Sequence, residues 1–333
     1  MESRPWPLVT VLVGCYNHAG FVVETLESVR QQNYPAMQLI IWDDRSRDNS
    51  VAVIQGWIRD HKVECTFLPH PANLGICKSL NEALALARGK YIAMIAADDA
   101  WLPDRLRRQV RIMEQAPADV GVIYSDAVQM DEQGRLLPGM FIAAHRRFTA
   151  PPEGRLFDVL WEANFIPAMT ALIRRECFLK VGGYDEELCF EDYDMWLRIS
   201  RECRFAYDPI AAAKYRIVAT SMVRTWSGPM GESLELIRAK CYMRGWLNPA
   251  QEKGLSGTLL NVFQRLYRNH SRIPWRLKMA VLQRHGSFKQ VCLVLAATCG
   301  LPDARLRQFL AVGRSLKNKF IQRKPDPDVP MQS

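Results

Sequence analysis

Residues 91–105 read YIAMIAADDAWLPDR, and the order of the parts decides the fold. Tyr91 to Ala96 is a short apolar run with the length and composition of a strand buried on both faces. Pro103 then starts a helical pattern that runs to Gln115, proline being at home in the first turn of a helix. Between them stand Asp98 and Asp99, whose mutual repulsion is costly unless something positive meets them. The same unit recurs on either side. Leu8 to Gly14, Gln38 to Asp43, Val63 to Pro69 and Val120 to Ser125 read as strands, while Phe21 to Gln31, Asp48 to Asp60 and Ile76 to Arg88 carry apolar residues at three-to-four spacing. This alternation predicts an α/β fold with a parallel sheet flanked by helices.

In such sheets ligands bind beyond the carboxyl ends of the strands, and the polar residues of this chain fall there. The first strand runs into Cys15-Tyr16-Asn17-His18, the second into Asp43-Asp44-Arg45-Ser46, the third unit into Asn73-Leu74-Gly75, and the fourth into Asp98-Asp99. Neither GxxxxGK[ST] nor GxGxxG occurs, so no glycine-rich loop cradles a phosphate. Carboxylates reach a diphosphate only through a hard divalent cation, Mg²⁺ or Mn²⁺, that takes oxygen ligands from both.

The stretches VTVLVGCYNHAGFVVETLESVRQQNYP (9–35), IIWDDRSRDNS (40–50), NLGICKSLNEALALARGKYIAMIAADDAWLPDRL (73–106), VGGYDEELCFEDYDMWLRIS (181–200) and YRIVATS (215–221) together resemble the family 2 glycosyltransferases of the GT-A fold. The resemblance covers residues 8–222 and implies a Rossmann-like, mostly parallel sheet that transfers a sugar with inversion from a nucleoside-diphosphate sugar. Carried over by position, it implies that Tyr16 and either or both of Asp43 and Asp44 meet the base and ribose, and that Lys78 lies near the base or phosphates. It places Asp98 near the ribose and Asp99 on the metal, Mg²⁺ or Mn²⁺. Asp192 of Phe190-Glu191-Asp192-Tyr193-Asp194 becomes the base that deprotonates the acceptor hydroxyl, with Glu191 beside it at the substrate. Three positions depart from the family pattern. Ala96-Ala97 precedes the acidic pair where many members have another carboxylate. Arg45 replaces a glycine, which is tolerable if its φ stays negative. Val218 stands where relatives often have His.

Each residue has a plainer reading by itself. Asp43 and Asp44 suit the approach to a helix capped by Ser46 or Asp48, Glu191 and Asp192 suit a first helical turn, and Tyr16, Trp161 and Phe165 suit a core. Trp161, Asn164 and Phe165 are also candidates for an acceptor cleft. It is the concurrence at strand ends that favours the site.

Composition sets the outer limits. A chain of 333 residues, 48% hydrophobic and 24% charged, can build one large domain and a smaller one. Its nine cysteines form no C-x-x-C pair and read as buried thiols of a reducing compartment. No basic segment followed by a long apolar run opens the sequence, which favours a cytoplasmic protein. Residues 230–333 hold 18 basic and 6 acidic groups, whereas the remainder carries a small acidic excess. This third reads as helical, with breaks at Asn248-Pro249, Gly254 to Gly257, Pro274 and Gly300 to Pro302. Ala304 to Lys324 has the pattern of an amphipathic helix on an anionic membrane surface, or of a helix packed on the protein with a wet basic face. The expected organisation is a transferase domain over 1–228, a helical basic extension over 229–324 and a disordered tail over 325–333. The expected partners are a nucleotide-sugar donor, a glycan or lipid-linked acceptor of cell-surface polysaccharide synthesis, and the inner face of the plasma membrane, with no nucleic acid. Two competing functions fare worse. A sugar-phosphate nucleotidyltransferase needs a glycine- and base-rich loop that Cys15 to Gly20 lacks, and an RNA-binding protein needs basic and aromatic residues interleaved on a sheet.

Overall fold

The computed structural model describes residues 5–145, 148, 150–218, 227–269, 271–285 and 287–306. The chain divides into two units, Met1–Met230 and Gly231–Ser333.

Among the described residues, the first unit is built on nine strands. At its centre β1 (Val9–Cys15) pairs in parallel with β2 (Met37–Asp43) on one side and β4 (Tyr91–Ala96) on the other, and β3 (Thr66–Pro69) extends the sheet parallel to β2. The crossovers carry α1 (Val22–Arg30), α2 (Ser50–His61) and α3 (Ile76–Ala85). Strand β1 is apolar along nearly its whole length because both faces are covered; Val9, Val11, Leu12 and Val13 are fully buried. Gly14 is needed where it stands, since a Cβ there would lie 2.3 Å from the Trp42 ring of the neighbouring strand.

Beyond β4 the sheet changes character. Its order continues through β8 (Leu172–Arg174), β6 (Val120–Met130), β9 (Arg204–Arg216) and β5 (Ala100–Trp101), with β7 (Leu136–Met140) paired to β6. β8 is antiparallel to both β4 and β6, whereas β6 and β9 are parallel. The sheet is therefore mostly but not wholly parallel. The sequence pattern located β6 only to Ser125 and missed β5, β7, β8 and β9. β5 and β8 have two and three residues, and β9 is interrupted by Pro209, which leaves too short a period to read.

The helix α4 (Arg105–Gln115) begins after Asp104, not at Pro103. Its first residue is a fully buried arginine whose guanidinium lies over Trp101, 4.2 Å from the ring centroid, and donates to the carbonyls of Met169, Thr170 and Ala171. That charge closes the irregular 169–171 stretch leading into β8. Burial pulls the Arg105 pKa down to about 9.

The second unit is helical over Ser256–Arg268, Trp275–His285 and Phe288–Thr298, with a short turn at Pro249–Glu252. Asn248 and Gln251 form a reciprocal capping box, which explains the break expected at Asn248-Pro249. Tyr242 is flanked by the guanidiniums of Arg276 and Arg284, and Arg284 pairs with Glu252 at 2.7 Å. Among the described residues no helix is long and apolar enough to cross a membrane. Of the amphipathic segment Ala304 to Lys324, residues 307–324 lie outside the described residues, as does the tail from 325.

None of the nine cysteines is in a disulfide. Five are buried, but Cys65, Cys189 and Cys292 are partly exposed and Cys299 is exposed, so the expectation of uniformly buried thiols is corrected.

Candidate active site

β1, β2 and β4 are adjacent and parallel, so the loops leaving their C-terminal ends share one edge. Tyr16 and Asn17 leave β1, Asp43 ends β2, Asp44 follows it, and Asp98 and Asp99 follow β4. Asp43 is fully buried and accepts from the amide and hydroxyl of Ser46, at 2.8 and 2.5 Å. Ser46 in turn accepts from the Asn17 amide at 2.8 Å, which ties the two loops together. Asp44 is also buried, and its two oxygens accept from the amides of Leu74 and Gly75 at 2.7 and 3.0 Å. Gly75 needs to be glycine, since its φ of +80° opens α3 and presents those amides to Asp44. The two carboxylates thus organise three loops around an open pocket of about 540 Å³ lined by Tyr16, Arg45, Ser46, Arg47 and Asn73. Arg45 has φ +66°, so the condition of a negative φ, under which its replacement of glycine is easily tolerated, is not met. Lys78 is exposed in the first turn of α3.

At the end of β4 something positive does meet the acidic pair, and it is a protein side chain that the motif reading passed over. Arg216, at the end of β9, is 2% exposed. Its amide donates to Asp99 Oδ1 at 2.9 Å and its Nε to the Asp98 carbonyl at 2.7 Å. Nη1 reaches the carbonyls of Asp131 and Glu132, and Nη2 pairs with Glu24 of α1. The guanidinium lies 4.7 Å from the Phe21 ring centroid. Three segments therefore converge on one cation. The Thr25 hydroxyl fixes the turn further by donating to the Asp99 carbonyl at 2.6 Å. Asp99 itself is 3% exposed, and burial, followed by repulsion from Asp98, raises its pKa well above the usual carboxylate range; the Arg216 amide and charge oppose this. The Asp98 carboxylate is more open and lies 3.8 Å from His18 Nε2.

The third acidic group sits at the start of α5 (Asp192–Glu202). Asp192 accepts from Asn164 Nδ2 at 2.7 Å and from the Tyr193 amide at 2.6 Å. Asn164, an acceptor-cleft candidate from sequence, holds this carboxylate. Trp161 and Phe165 are buried, and Phe165 packs edge-on against Tyr124, so both belong to the core. Desolvation, then the neighbouring Asp192, pushes Glu191 up to about 8; Asp192 is also raised by desolvation, against the Asn164 hydrogen bond. This segment packs back against α3 and β4. Cys77 of α3 donates to the Phe190 carbonyl, Asn81 of α3 to the Tyr184 carbonyl, and the Tyr184 hydroxyl to Met94 of β4. One region thus gathers Tyr16, Asp43, Asp44, Asp98 and Asp99, with Glu191 and Asp192 tied to the neighbouring α3.

Among the described residues no group of three or more His, Cys, Asp or Glu side chains is arranged to hold a metal ion. A divalent ion of the Mg²⁺ type needs no protein cage, since one or two carboxylates suffice when substrate phosphates supply further oxygens. Asp98 and Asp99 set two adjacent carboxylates at the end of β4, hard oxygen donors of the kind such an ion takes, so the donor set fits it.

A family model described as Glycosyl transferase family 2 matches residues 10–182. An uncharacterized glycosyltransferase of Methanocaldococcus jannaschii is 31% identical over 217 residues, 63% of this chain and 71% of that protein. TuaG of Bacillus subtilis, named for teichuronic acid biosynthesis, is 28% identical over 65% of this chain and 81% of its own. In fold, the chain is similar to S. aureus TarS 1-349 in complex with UDP-GlcNAc, with a TM-score of 0.58, 19% identity and coverage of 92% of this chain and 87% of that one. It is also similar to the mannosyltransferase PcManGT from Pyrobaculum calidifontis in complex with GDP-Man and Mn²⁺, with a TM-score of 0.55, 19% identity and coverage of 94% and 81%.

Proposed function

The chain belongs to glycosyl transferase family 2, and from that premise we propose that it moves a sugar, with inversion, from a nucleoside-diphosphate sugar to a hydroxyl of a glycan or lipid-linked acceptor. The observation that carries the reading is the meeting of Tyr16, Asp44 and the Asp98-Asp99 turn at the C-terminal ends of adjacent parallel strands, with Asp192 tied to the same edge through α3. In this reading Tyr16 offers its half-exposed ring to the base, the Asp43–Ser46 and Asp44–Gly75 hydrogen bonds shape the nucleoside pocket, and Asp98 faces the ribose. Lys78 adds positive charge near the phosphates. Asp99 would hold Mg²⁺ or Mn²⁺, which neutralises the diphosphate as it departs. Asp192 accepts the proton of the acceptor hydroxyl as that oxygen attacks the anomeric carbon, and Glu191 lines the same end of the site. A carboxylate made more basic by desolvation suits this role, because its pKa moves towards the working pH.

We assign transfer to residues 1–228 and a basic helical extension to 229–324. The TuaG relationship and the extension's charge favour an acceptor in cell-surface polysaccharide synthesis, with the chain held at an anionic inner-leaflet surface. The test is transfer of radiolabelled sugar from a panel of nucleotide sugars with Mn²⁺ to lipid extracts carrying glycan precursors. Label should enter the lipid fraction with anomeric inversion. Hydrolysis of donor alone across the whole panel, with no acceptor labelled, would overturn the reading.

A further inference from the structure

A base can take a proton only from within hydrogen-bond reach, and a misplacement of about 1 Å can cost a factor of about 10² in rate. For Asp192, at the first turn of α5, that placement depends on the segment before it. Residues 182–191 (GGYDEELCFE) are neither helix nor strand, so no ladder of backbone hydrogen bonds fixes them. Side chains of α3 do so instead. Cys77 and Asn81 stand four residues apart, hence on one face of that helix, and both reach this segment.

Asn81 Nδ2 donates to the Tyr184 carbonyl at 2.9 Å, and Asn81 Oδ1 accepts from the Tyr184 amide at 2.7 Å. One side-chain amide thus satisfies both main-chain groups of Tyr184. Its second Nδ2 proton goes to Glu186 Oε1, also at 2.9 Å. The Cys77 thiol donates to the carbonyl of Phe190, the residue before Glu191. The start of the segment is held from α5 itself, where buried Arg198 donates to the Val181 carbonyl at 2.8 Å. The segment is therefore pinned at its start, near its middle and at its end.

Gly183 is an independent sign that the Asn81 contact is built in. A Cβ there would lie 2.5 Å from Asn81 Oδ1, and the three nearest atoms all belong to Asn81. Its φ is not in the left-handed region, so the close approach of Asn81, and not the backbone, calls for glycine. The helix that makes this contact also serves the other half of the site. The turn that opens α3 holds Asp44 through the amides of Leu74 and Gly75.

We infer that Asn81 is a positioning residue for the transfer: by clipping Tyr184 to α3 it sets where Asp192 stands relative to the donor site. This rests on the reading of Asp192 as the base and adds a residue that touches neither substrate.

The experiment measures single-turnover transfer and donor affinity for Asn81→Ala, Gly183→Ala and the double variant, using whichever nucleotide sugar labels the acceptor with wild type in the panel above. Melting temperatures verify that each variant is folded. Asn81→Ala should slow transfer about ten-fold or more while donor Kd stays within about two-fold, the signature of a lost placement and not of lost binding. Gly183→Ala should do the same, since its Cβ pushes the segment off Asn81 without altering α3. The double variant should be no slower than Asn81→Ala, because that truncation removes the atoms the new Cβ meets. In an Asp192→Asn background, adding Asn81→Ala should change the residual rate by less than about two-fold, the group it positions being gone.

Three results would overturn the inference and leave the transferase reading standing. A lowered melting temperature with transfer unchanged would make Asn81 a structural residue only. Donor affinity falling in step with rate would place the clip in the service of the donor pocket. An undiminished loss in the Asp192→Asn background would mean that Asn81 acts through some other group. Absence of transfer by wild type with every donor would overturn both readings together.

Discussion

Two of the three pairs of adjacent acids in the candidate site, Asp98-Asp99 and Glu191-Asp192, are held in different ways. Asp98-Asp99 is wired to a buried guanidinium, a backbone amide and a threonine hydroxyl, so its geometry is fixed before any ligand arrives. No ion pair links Glu191-Asp192 to a cation among the described residues; Asp192 has one asparagine and one amide, and both acids, like Asp99, are pushed towards protonation. The first arrangement suits a fixed anionic ligand for a cation. The second suits a group that must take up a proton, since it withholds the counter-charge that would make a carboxylate a poor base.

The sharpest way to break the contrast is to remove the cation from the first pair. Arg216→Met leaves the carbonyls of Asp98, Asp131 and Glu132 without their donor and separates α1 from the turn. It should cost about 3 kcal/mol in urea denaturation, in the range for breaking a buried charged network. Arg216→Lys should recover only part of this, because an ammonium cannot reach all of these partners from one position.

The second pair should respond to pH with the opposite sign from an ordinary ion pair. The Glu191 pKa rises from 4.5 to about 8 on folding, so the folded state holds this proton more tightly than the unfolded chain. Its stabilising effect is complete below 4.5 and is lost as pH rises through 8. Glu191→Gln, neutral throughout, should therefore match wild type at pH 4.5 and exceed it at about pH 9 by on the order of 2 kcal/mol, less than the full shift because the carboxyl is partly exposed. Thermal melts across that range check it.

A smaller effect is expected at Asn164, whose hydrogen bond favours ionised Asp192. Asn164→Ala should move the acid limb of the rate–pH profile upward by about one pH unit, the equivalent of one hydrogen bond to a charged group. Turnover then falls several-fold on the acid side and little on the alkaline side. A uniform fall at every pH would mean that Asn164 orients Asp192 without affecting its protonation.

How far these features could be read from sequence depended on their locality. The parallel half of the sheet declared itself because β1, β2 and β4 are continuous apolar runs followed by polar loops, and Tyr91–Ala96 matches its expected bounds. The antiparallel half did not, since β8 has three residues and its place between β4 and β6 is set by pairing with segments some fifty to eighty residues earlier. The acidic pairs were visible as motifs. In the sequence Arg216 is only one residue of YRIVATS, a stretch whose departure from the family pattern is Val218; that its side chain spans Asp98, Asp131 and Glu24 follows from the return of β9 to the edge of the sheet. Arg45 was noticed as a departure from glycine, but its left-handed backbone is enforced by the Asn17–Arg47 and Asn17–Ser46 contacts across loops.

The claim that one acidic pair binds and the other performs chemistry is tested most directly by measuring donor affinity and single-turnover rate on the same preparations of Asp99→Asn and Asp192→Asn, with and without Mn²⁺. Asp99→Asn should lose the part of donor binding that depends on Mn²⁺. Asp192→Asn should bind donor as wild type does and slow transfer by about 10²- to 10⁴-fold, the usual contribution of a positioned general base. Loss of donor affinity in Asp192→Asn together with Mn²⁺-dependent binding retained in Asp99→Asn would reverse the assignment and contradict the account.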